Sequence, residues 1–365
     1  MKLKRVAGCS AGVLALACLA AFVAWRMSDN TCGQGVAPGR DLMKAIVYCD
    51  YGSADVLKLE DVEKPTPGDS QVLVRVRAAA VNPLDWHYMR GTPYFMRLDA
   101  GLRKPKVIRL GVDFAGTVES VGRSVTRLKP GDDVFGARTG ALAEYVTVAA
   151  DRIVLKPGNM TFEQAAAVPV AAVTALQGLR DQGQVRAGQQ VLINGASGGV
   201  GTFAVQIAKS LGAHVTGVCS TRNVEMVRSI GADEVVDYTK ADYTKGAPRY
   251  DVIIDNVGNH SLLDNRRVLK PGGKYVIVGG PSGRWIDPLP RVFGAIVVSW
   301  FVGEDLRFFL ARVNPKDLTV LRDLMEAGKV TPVIDRRYKL AEAAAAIRYL
   351  EEGHARGKVV ITIEQ

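Results

Sequence analysis

The stretch Val191–Gly201, V-L-I-N-G-A-S-G-G-V-G, constrains the fold more than any other part of this chain. It begins as an apolar run of strand length. It ends by opening a segment in which Val200, Phe203, Ala204, Ile207, Ala208 and Leu211 recur at helical spacing. Gly212 stops that segment, and a second apolar run, His214–Cys219, follows at once. A glycine run alone is weak evidence. Strand, glycine turn, helix and strand in succession specify a βαβ unit of a parallel sheet. Gly195 and Gly198 allow a sharp turn and a close approach to a diphosphate, and Gly201 lets the helix pack against the strand. The helix amino terminus then offers unpaired N–H groups and positive dipole to the anion. The expected ligand is a dinucleotide; an ordinary tight turn is the bland alternative.

The end of the second strand discriminates between dinucleotides. An NAD site presents Asp or Glu there to the ribose hydroxyls. This chain reads G-V-C-S-T-R-N from Gly217 to Asn223, with no acid before Glu225. Ser220 and Thr221 can donate hydrogen bonds, and Arg222 can pair a 2′-phosphate bidentately. NADPH is the expected cofactor. Tyr238, after a third strand, can lean on the adenosine end.

Two further regions flank this unit. From Met43 to about residue 156, short apolar or alternating runs are separated by turns such as P-T-P-G-D and K-P-G-D-D, which suggests a small barrel or sandwich. After Met160, helical stretches (161–179, 200–211, 223–230) alternate with buried runs (191–194, 214–219, 252–255, 275–278), the pattern of a doubly wound parallel sheet. Beyond Asp305 come two helical patterns and a closing strand, 358–363. The five cysteines (9, 18, 32, 49 and 219) make no disulfide framework and no C-x-x-C metal pair in the body. Net charge is +10, of which about +7 lies beyond residue 42; no aromatic-interleaved basic stripe supports a nucleic-acid partner.

The amino terminus is a separate object. Lys2, Lys4 and Arg5 precede an uncharged run, residues 6–25, long enough at ~1.5 Å per residue to cross a bilayer. An uncleaved membrane anchor, a cleaved signal, and an upstream start before Met43 all fit. The positive flank would export the body. NADPH supply requires the reducing side, so a membrane-anchored body on the cytoplasmic side is expected, or a cytoplasmic protein if Met43 is the start.

From Met43 onward the chain resembles the medium-chain dehydrogenase/reductase superfamily, in its zinc-free quinone oxidoreductase or zeta-crystallin branch. The resemblance rests on Gly188–Lys209, on G-V-D-F-A-G (Gly111–Gly116) and on K-P-G-D-D-V-F-G (Lys129–Gly136). The ending G-H-A-R-G-K-V-V-I (Gly353–Ile361) is similar to the mitochondrial reticulon-interacting oxidoreductases of that branch. The resemblance implies an α/β fold in which a GroES-like domain (43–165 and 305–365) is split around a Rossmann domain (166–304), after an anchor and linker (1–42). It also implies that Ser197, Gly199, Val200, Ser220, Arg222, Tyr238 and Asn256 line the cofactor, joined by His354, Ala355 and Arg356.

Zinc-containing relatives place Cys and then His where this chain has Asn82 and Val112, and add a four-cysteine lobe; no cysteine stands between Cys49 and Cys219. Asn and Val cannot complete a zinc site, so no metal is expected. Without a Lewis acid the easier chemistry is conjugate reduction of a polarised C=C bond, in an enone, enal or quinone. Asn82 can donate a hydrogen bond to the developing enolate oxygen, and His87 can supply a proton. The bland readings are a turn at Asn82-Pro83 and a surface histidine. An enoyl-thioester reductase of the same fold, and a membrane-tethered NADPH-binding scaffold without turnover, are the alternative functions. Two stretches stay unassigned by these readings. Arg90, Arg97, Arg103, Lys104, Lys106 and Arg109 can form a lip over the pocket or a solvated loop. The apolar stretch 295–310 fits a subunit contact, and a homodimer is expected.

Overall fold

The computed structural model describes residues 39–247, 249–280 and 305–363, together with Phe22 and Cys32. Apolar runs without polar alternation become strands buried on both faces. Gln190–Asn194, His214–Cys219, Glu234–Asp237, Tyr250–Asp255, Leu269–Ile277 and Asp305–Phe308 form one sheet in which every pairing is parallel. Successive residues serve opposite faces, as the period of a strand requires. Val191, Ile193, Val252 and Ile254 pack under the helices Pro169–Gln177 and Gly199–Ser210, while Leu192, Ile253, Tyr275 and Ile277 build a second core on the other side. Gln190–Asn194 lies between His214–Cys219 and Tyr250–Asp255. The chain therefore reverses its lateral direction there, which leaves a crevice at the carboxyl end of that strand.

A seven-stranded sheet carries the β-rich region. Gln71–Val81, Asp113–Val121, Asp133–Ala137, Tyr145–Ala149 and Ile153–Leu155 pair antiparallel, and Ile334–Lys339 and Lys358–Thr362 complete it from the carboxyl end. Val359 stands opposite Val81, so the last strand of the chain is stitched beside the residues that precede Asn82. This return comes later than residue 305, because Asp305–Phe308 still belongs to the parallel sheet. The helical stretch expected over 161–179 is divided. Thr161 caps Phe162–Ala166, and Pro169, lacking an N–H, starts a second helix at Pro169–Gln177.

The expected anchor at residues 6–25 lies outside the described residues apart from Phe22. Among the described residues, no helix is long and apolar enough to cross a membrane. Most of the 295–310 stretch also lies outside them. One finding departs from the cysteine count: Cys32 and Cys49 are joined by a disulfide, which ties the amino-terminal linker to the second residue beyond the strand Leu42–Val47.

Candidate active site

The crevice opens into a cleft of about 550 Å³ with walls from both sheets. The turn after Asn194 forms one end. Gly195 adopts φ +76°, a left-handed conformation that costs glycine little. A Cβ on Gly201 would stand 2.0 Å from Gly195 O, so the helix Gly199–Ser210 can approach the turn only with glycine there. Its first turn faces the cleft, with Gly198 and Gly199 in the wall. The Gly357 N–H donates to Ser197 O at 2.8 Å, so the segment 353–358 closes over the same end.

Ser220, Arg222, Tyr238, His354 and Ala355 gather at the rim, and Arg222 Nη2 donates to His354 O at 2.9 Å. Asn223, which the sequence reading did not single out, donates from Nδ2 to Ser197 Oγ (3.1 Å) and Ser220 Oγ (3.2 Å). Asn256 Nδ2 donates to Asn194 O at 2.9 Å. The amide oxygens of Asn223 and Asn256 are buried and have no partner. A buried acceptor left unmade is costly, and these two face a cleft that a dinucleotide, rich in hydroxyl donors, would fill. The residues present fit that group.

Of the residues expected to touch a cofactor, Gly195, Ser197, Gly198, Gly199, Val200, Gly201, Ser220, Arg222, Tyr238, Asn256, His354 and Ala355 line the cleft. Two are not brought there. Thr221 turns its hydroxyl onto Asp237 Oδ2 at 2.6 Å, and that contact, with Thr239, holds the Asp237 carboxyl down at about 2. Arg356 is exposed, and its N–H bonds Asp335 Oδ2 at 2.8 Å.

At the other end stands a buried polar cluster. Asn82 lines the cleft, and so does Lys358, whose Nζ donates to Asn82 Oδ1 at 2.6 Å and lies 3.4 Å from Asp113 Oδ2 and from Val81 O. Asn82 Nδ2 donates to Asp113 Oδ2 at 3.0 Å. Lysine has only donors and carboxylate only acceptors, so the neighbours fix which way the amide points. Its second N–H reaches only Ala80 O, at 3.5 Å, and is the one left for a ligand. The Val170 N–H bonds Asp113 Oδ1 at 3.0 Å, and Asp85 Oδ2 accepts the Asn82 N–H at 2.7 Å. All four side chains are almost wholly buried. Burial pushes the Asp113 carboxyl up while Lys358 pulls it back, and burial pushes Asp85 up to about 7. Lys358, Asp113 and Asp85 were not singled out by the sequence reading.

His87 is not brought to the cleft. Its ring stacks on Trp86, with centroids 3.7 Å apart, and its Nδ1 lies 2.7 Å from Thr92 O. A carbonyl only accepts, so Nδ1 carries the proton. Burial lowers the affinity of the ring for a second one.

Residues 68–158 match the alcohol dehydrogenase GroES-like domain, and residues 230–361 match the zinc-binding dehydrogenase family. The 2-methylene-furan-3-one reductase of Solanum lycopersicum is 38% identical over 334 residues, 87% of this chain and 79% of the relative. The chloroplastic NADPH-dependent alkenal/one oxidoreductase of Arabidopsis thaliana is 38% identical over 335 residues, again 87% and 79%. Among solved structures, the quinone oxidoreductase from Coxiella burnetii superposes with a TM-score of 0.78 at 32% identity, covering 89% of this chain and 100% of that one. The residues here do not fit a zinc ion of the kind the second family description implies. Asn82 Oδ1 is taken by an ammonium, which would repel a cation, and among the described residues no group of three or more His, Cys, Asp or Glu can hold a metal.

Proposed function

Because the chain belongs to the medium-chain dehydrogenase/reductase superfamily, in its quinone oxidoreductase branch, we propose that it reduces quinones or α,β-unsaturated carbonyls with NADPH and without zinc. One observation carries this reading. A single cleft holds a glycine turn suited to a diphosphate at one end and, at the other, a hydrogen-bonding cluster in which an ammonium occupies Asn82 Oδ1. The reduced nicotinamide, when bound, supplies a hydride to the electrophilic carbon of the substrate.

The chain's own residues bind, orient and stabilise. The backbone at Gly195–Gly199 and the helix amino terminus take the diphosphate. The amide oxygens of Asn223 and Asn256 accept from ribose hydroxyls, and Ser220, Arg222 and Tyr238 take the 2′-phosphate. At the reacting end, the second N–H of Asn82 donates to the carbonyl oxygen as it gains enolate charge. Lys358 and Asp113 hold the amide in that orientation before the substrate arrives, which is where such a donor gains its effect.

We assign residues 43–165 and 309–365 to the substrate domain and 166–308 to the nucleotide domain, because the strand Asp305–Phe308 pairs in the parallel sheet. We assign residues 6–25 to membrane attachment and the edge strand Asp305–Phe308 to a homodimer contact. The Cys32–Cys49 bond belongs to the chemistry of an oxidising compartment and argues against the reducing-side placement expected above. Intact mass with and without reductant, after thiol alkylation of cells, decides that point.

The central test is stopped-flow NADPH oxidation by the purified chain against a quinone, an enal, an enone and an enoyl thioester. Rapid oxidation by the first three is expected. Tight NADPH binding with no oxidation by any of the four would sink the reductase reading, and preference for the thioester would move the activity to acyl chains.

A further inference from the structure

Arg109 and Arg138 flank the segment Gly111–Asp113 that leads into this cluster, one by sequence and the other by backbone pairing to Val112, and have no part in the reading above. Arg109 ends the basic stretch before Gly111, and its backbone bridges to Val47. Its side chain lies along Gly140, where an added Cβ would be 3.4 Å from Arg109 Cβ and 3.5 Å from its Nε. Gly140 lies two residues after Arg138, and its N–H donates to Gly111 O at 2.8 Å, so the segment that carries Arg138 runs beside the one that carries Arg109. Burial, and then the charge of Arg138, hold the Arg109 guanidinium below its usual range.

Three other members of the basic stretch are engaged. Arg90 is forked on Glu351, Arg97 donates to Gly91 O, and Lys104 faces Asp50. Among the described residues, the side chains of Arg109 and Arg138 have neither a hydrogen-bond nor an ion-pair partner. A partly desolvated guanidinium that feels a second positive charge gains from an anion brought to it.

Their place in the fold says what that anion belongs to. Asp133–Ala137 runs antiparallel to Asp113–Val121, with Ala137 opposite Asp113. Arg138 is the next residue, and its N–H donates to Val112 O at 2.7 Å. It therefore stands across the ladder from Val112, the residue before the Asp113 whose carboxylate holds Asn82, and such cross-strand neighbours are ~5 Å apart. Apolar side chains are exposed on the neighbouring segment, among them Tyr94, Phe95, Leu98 and Val107. Such a surface suits a small apolar molecule that carries a charged end.

We propose that Arg109 and Arg138 form an oxyanion subsite, which selects substrates bearing a carboxylate or phosphate a few bonds from the reducible double bond. The inference rests on the reductase reading for the identity of the ligand as substrate, and the experiment separates the two.

The kcat/KM for 4-oxopent-2-enoate and for its methyl ester is measured for the purified protein and for Arg109→Gln and Arg138→Gln. The protein prefers the carboxylate by roughly 10- to 100-fold, the range for charged hydrogen bonds to a single anion. The preference shrinks at high salt and falls towards one in each variant, while NADPH affinity is retained. Crotonyl-CoA and its pantetheine thioester are the second pair; dependence on the arginines for the first of these alone assigns the subsite to phosphate. Binding of the saturated product 4-oxopentanoate to the NADP-loaded protein, followed by calorimetry, needs no turnover. If no substrate is reduced but this binding is lost in the variants, the reductase reading fails and the subsite stands. If carboxylate and ester, and the two thioesters, are used equally and 4-oxopentanoate binds all three proteins alike, the subsite is wrong whatever the activity.

Discussion

Replacing Lys358 by Met tests the buried cluster most directly. The ammonium is 3% exposed and its partner Asp113 is 0% exposed, so the substitution removes a charge without opening a path for water. Breaking a buried pair from one side costs about 3–5 kcal/mol, because the remaining charge is left uncompensated. For a folded body of this size, that is a fall in Tm of roughly 5–8 °C. The cost depends on pH, and the sign follows from Asp113. Burial already raises its carboxyl, and Lys358 is the largest influence restraining it. Without Lys358 the folded value rises further above the unfolded one of about 3.9. A raised acid contributes stability below the unfolded value and loses it as pH climbs through the folded value. The variant is therefore mildly destabilised at pH 5 and loses about 1.4 kcal/mol more per pH unit until Asp113 ionises. Guanidinium titrations at pH 5, 6, 7 and 8 read this slope. Adding Asp113→Leu removes the stranded charge and recovers much of the stability, yet kcat stays low because Asn82 has lost both groups that aim it. A destabilisation below about 1 kcal/mol, or one flat in pH, would refute the account of Lys358 as the partner of a buried carboxylate. Recovery of kcat together with stability in the double variant would refute the positioning role.

Other outcomes are as specific. Arg222→Ala should weaken NADPH by roughly 10- to 100-fold and leave NADH within about twofold, measured by calorimetry; equal losses would discard the 2′-phosphate site. Gly201→Ala puts a methyl 2.0 Å from Gly195 O and 2.8 Å from the Ala196 backbone, neither of which can move without opening the turn. It should cost about 1–3 kcal/mol and most of the nucleotide affinity, and an unchanged NADPH Kd would contradict that packing. Asp85 is pushed up to about 7 in the folded state, so its contribution is complete below about pH 4 and is lost as pH rises towards 7. Asp85→Asn should flatten the dependence of Tm on pH across that window, and a slope identical to the parent would place its titration elsewhere.

The nucleotide end of the cleft was legible because its information is local. A strand, a glycine turn and a helix lie within about twenty residues, and the physics that selects glycine at 195 and 201 acts over that distance. Ser220, Arg222 and Tyr238 were singled out by the same logic, one strand further along, and they stand at the rim of the cleft. Thr221 and Arg356 were misplaced because a residue's side on a turn depends on a single rotation, which spacing does not encode. His87 was drawn to the cleft by its separation from Asn82, but Pro83–Arg90 is helical and turns that ring towards Thr92 and Trp86.

The reacting end was only half legible, for a reason that also bears on its chemistry. Lys358 opens the strand K-V-V-I-T and reads as an ordinary solvated strand end, while Asp113 reads as part of a landmark. What unites them is the pairing of Val359 with Val81, between segments more than 270 residues apart, and no local periodicity carries that register. The pairing also explains how Asn82 can serve without a metal. A lone amide beside a cleft could turn either its oxygen or its nitrogen to a ligand. Here an ammonium claims the oxygen and a carboxylate claims one N–H, so the remaining N–H is the group left to present. The two charges nearly cancel within the cluster and leave little net attraction for an anionic substrate. Any preference for one must come from outside it, and the unpartnered pair Arg109 and Arg138, one strand away, is the nearest candidate source.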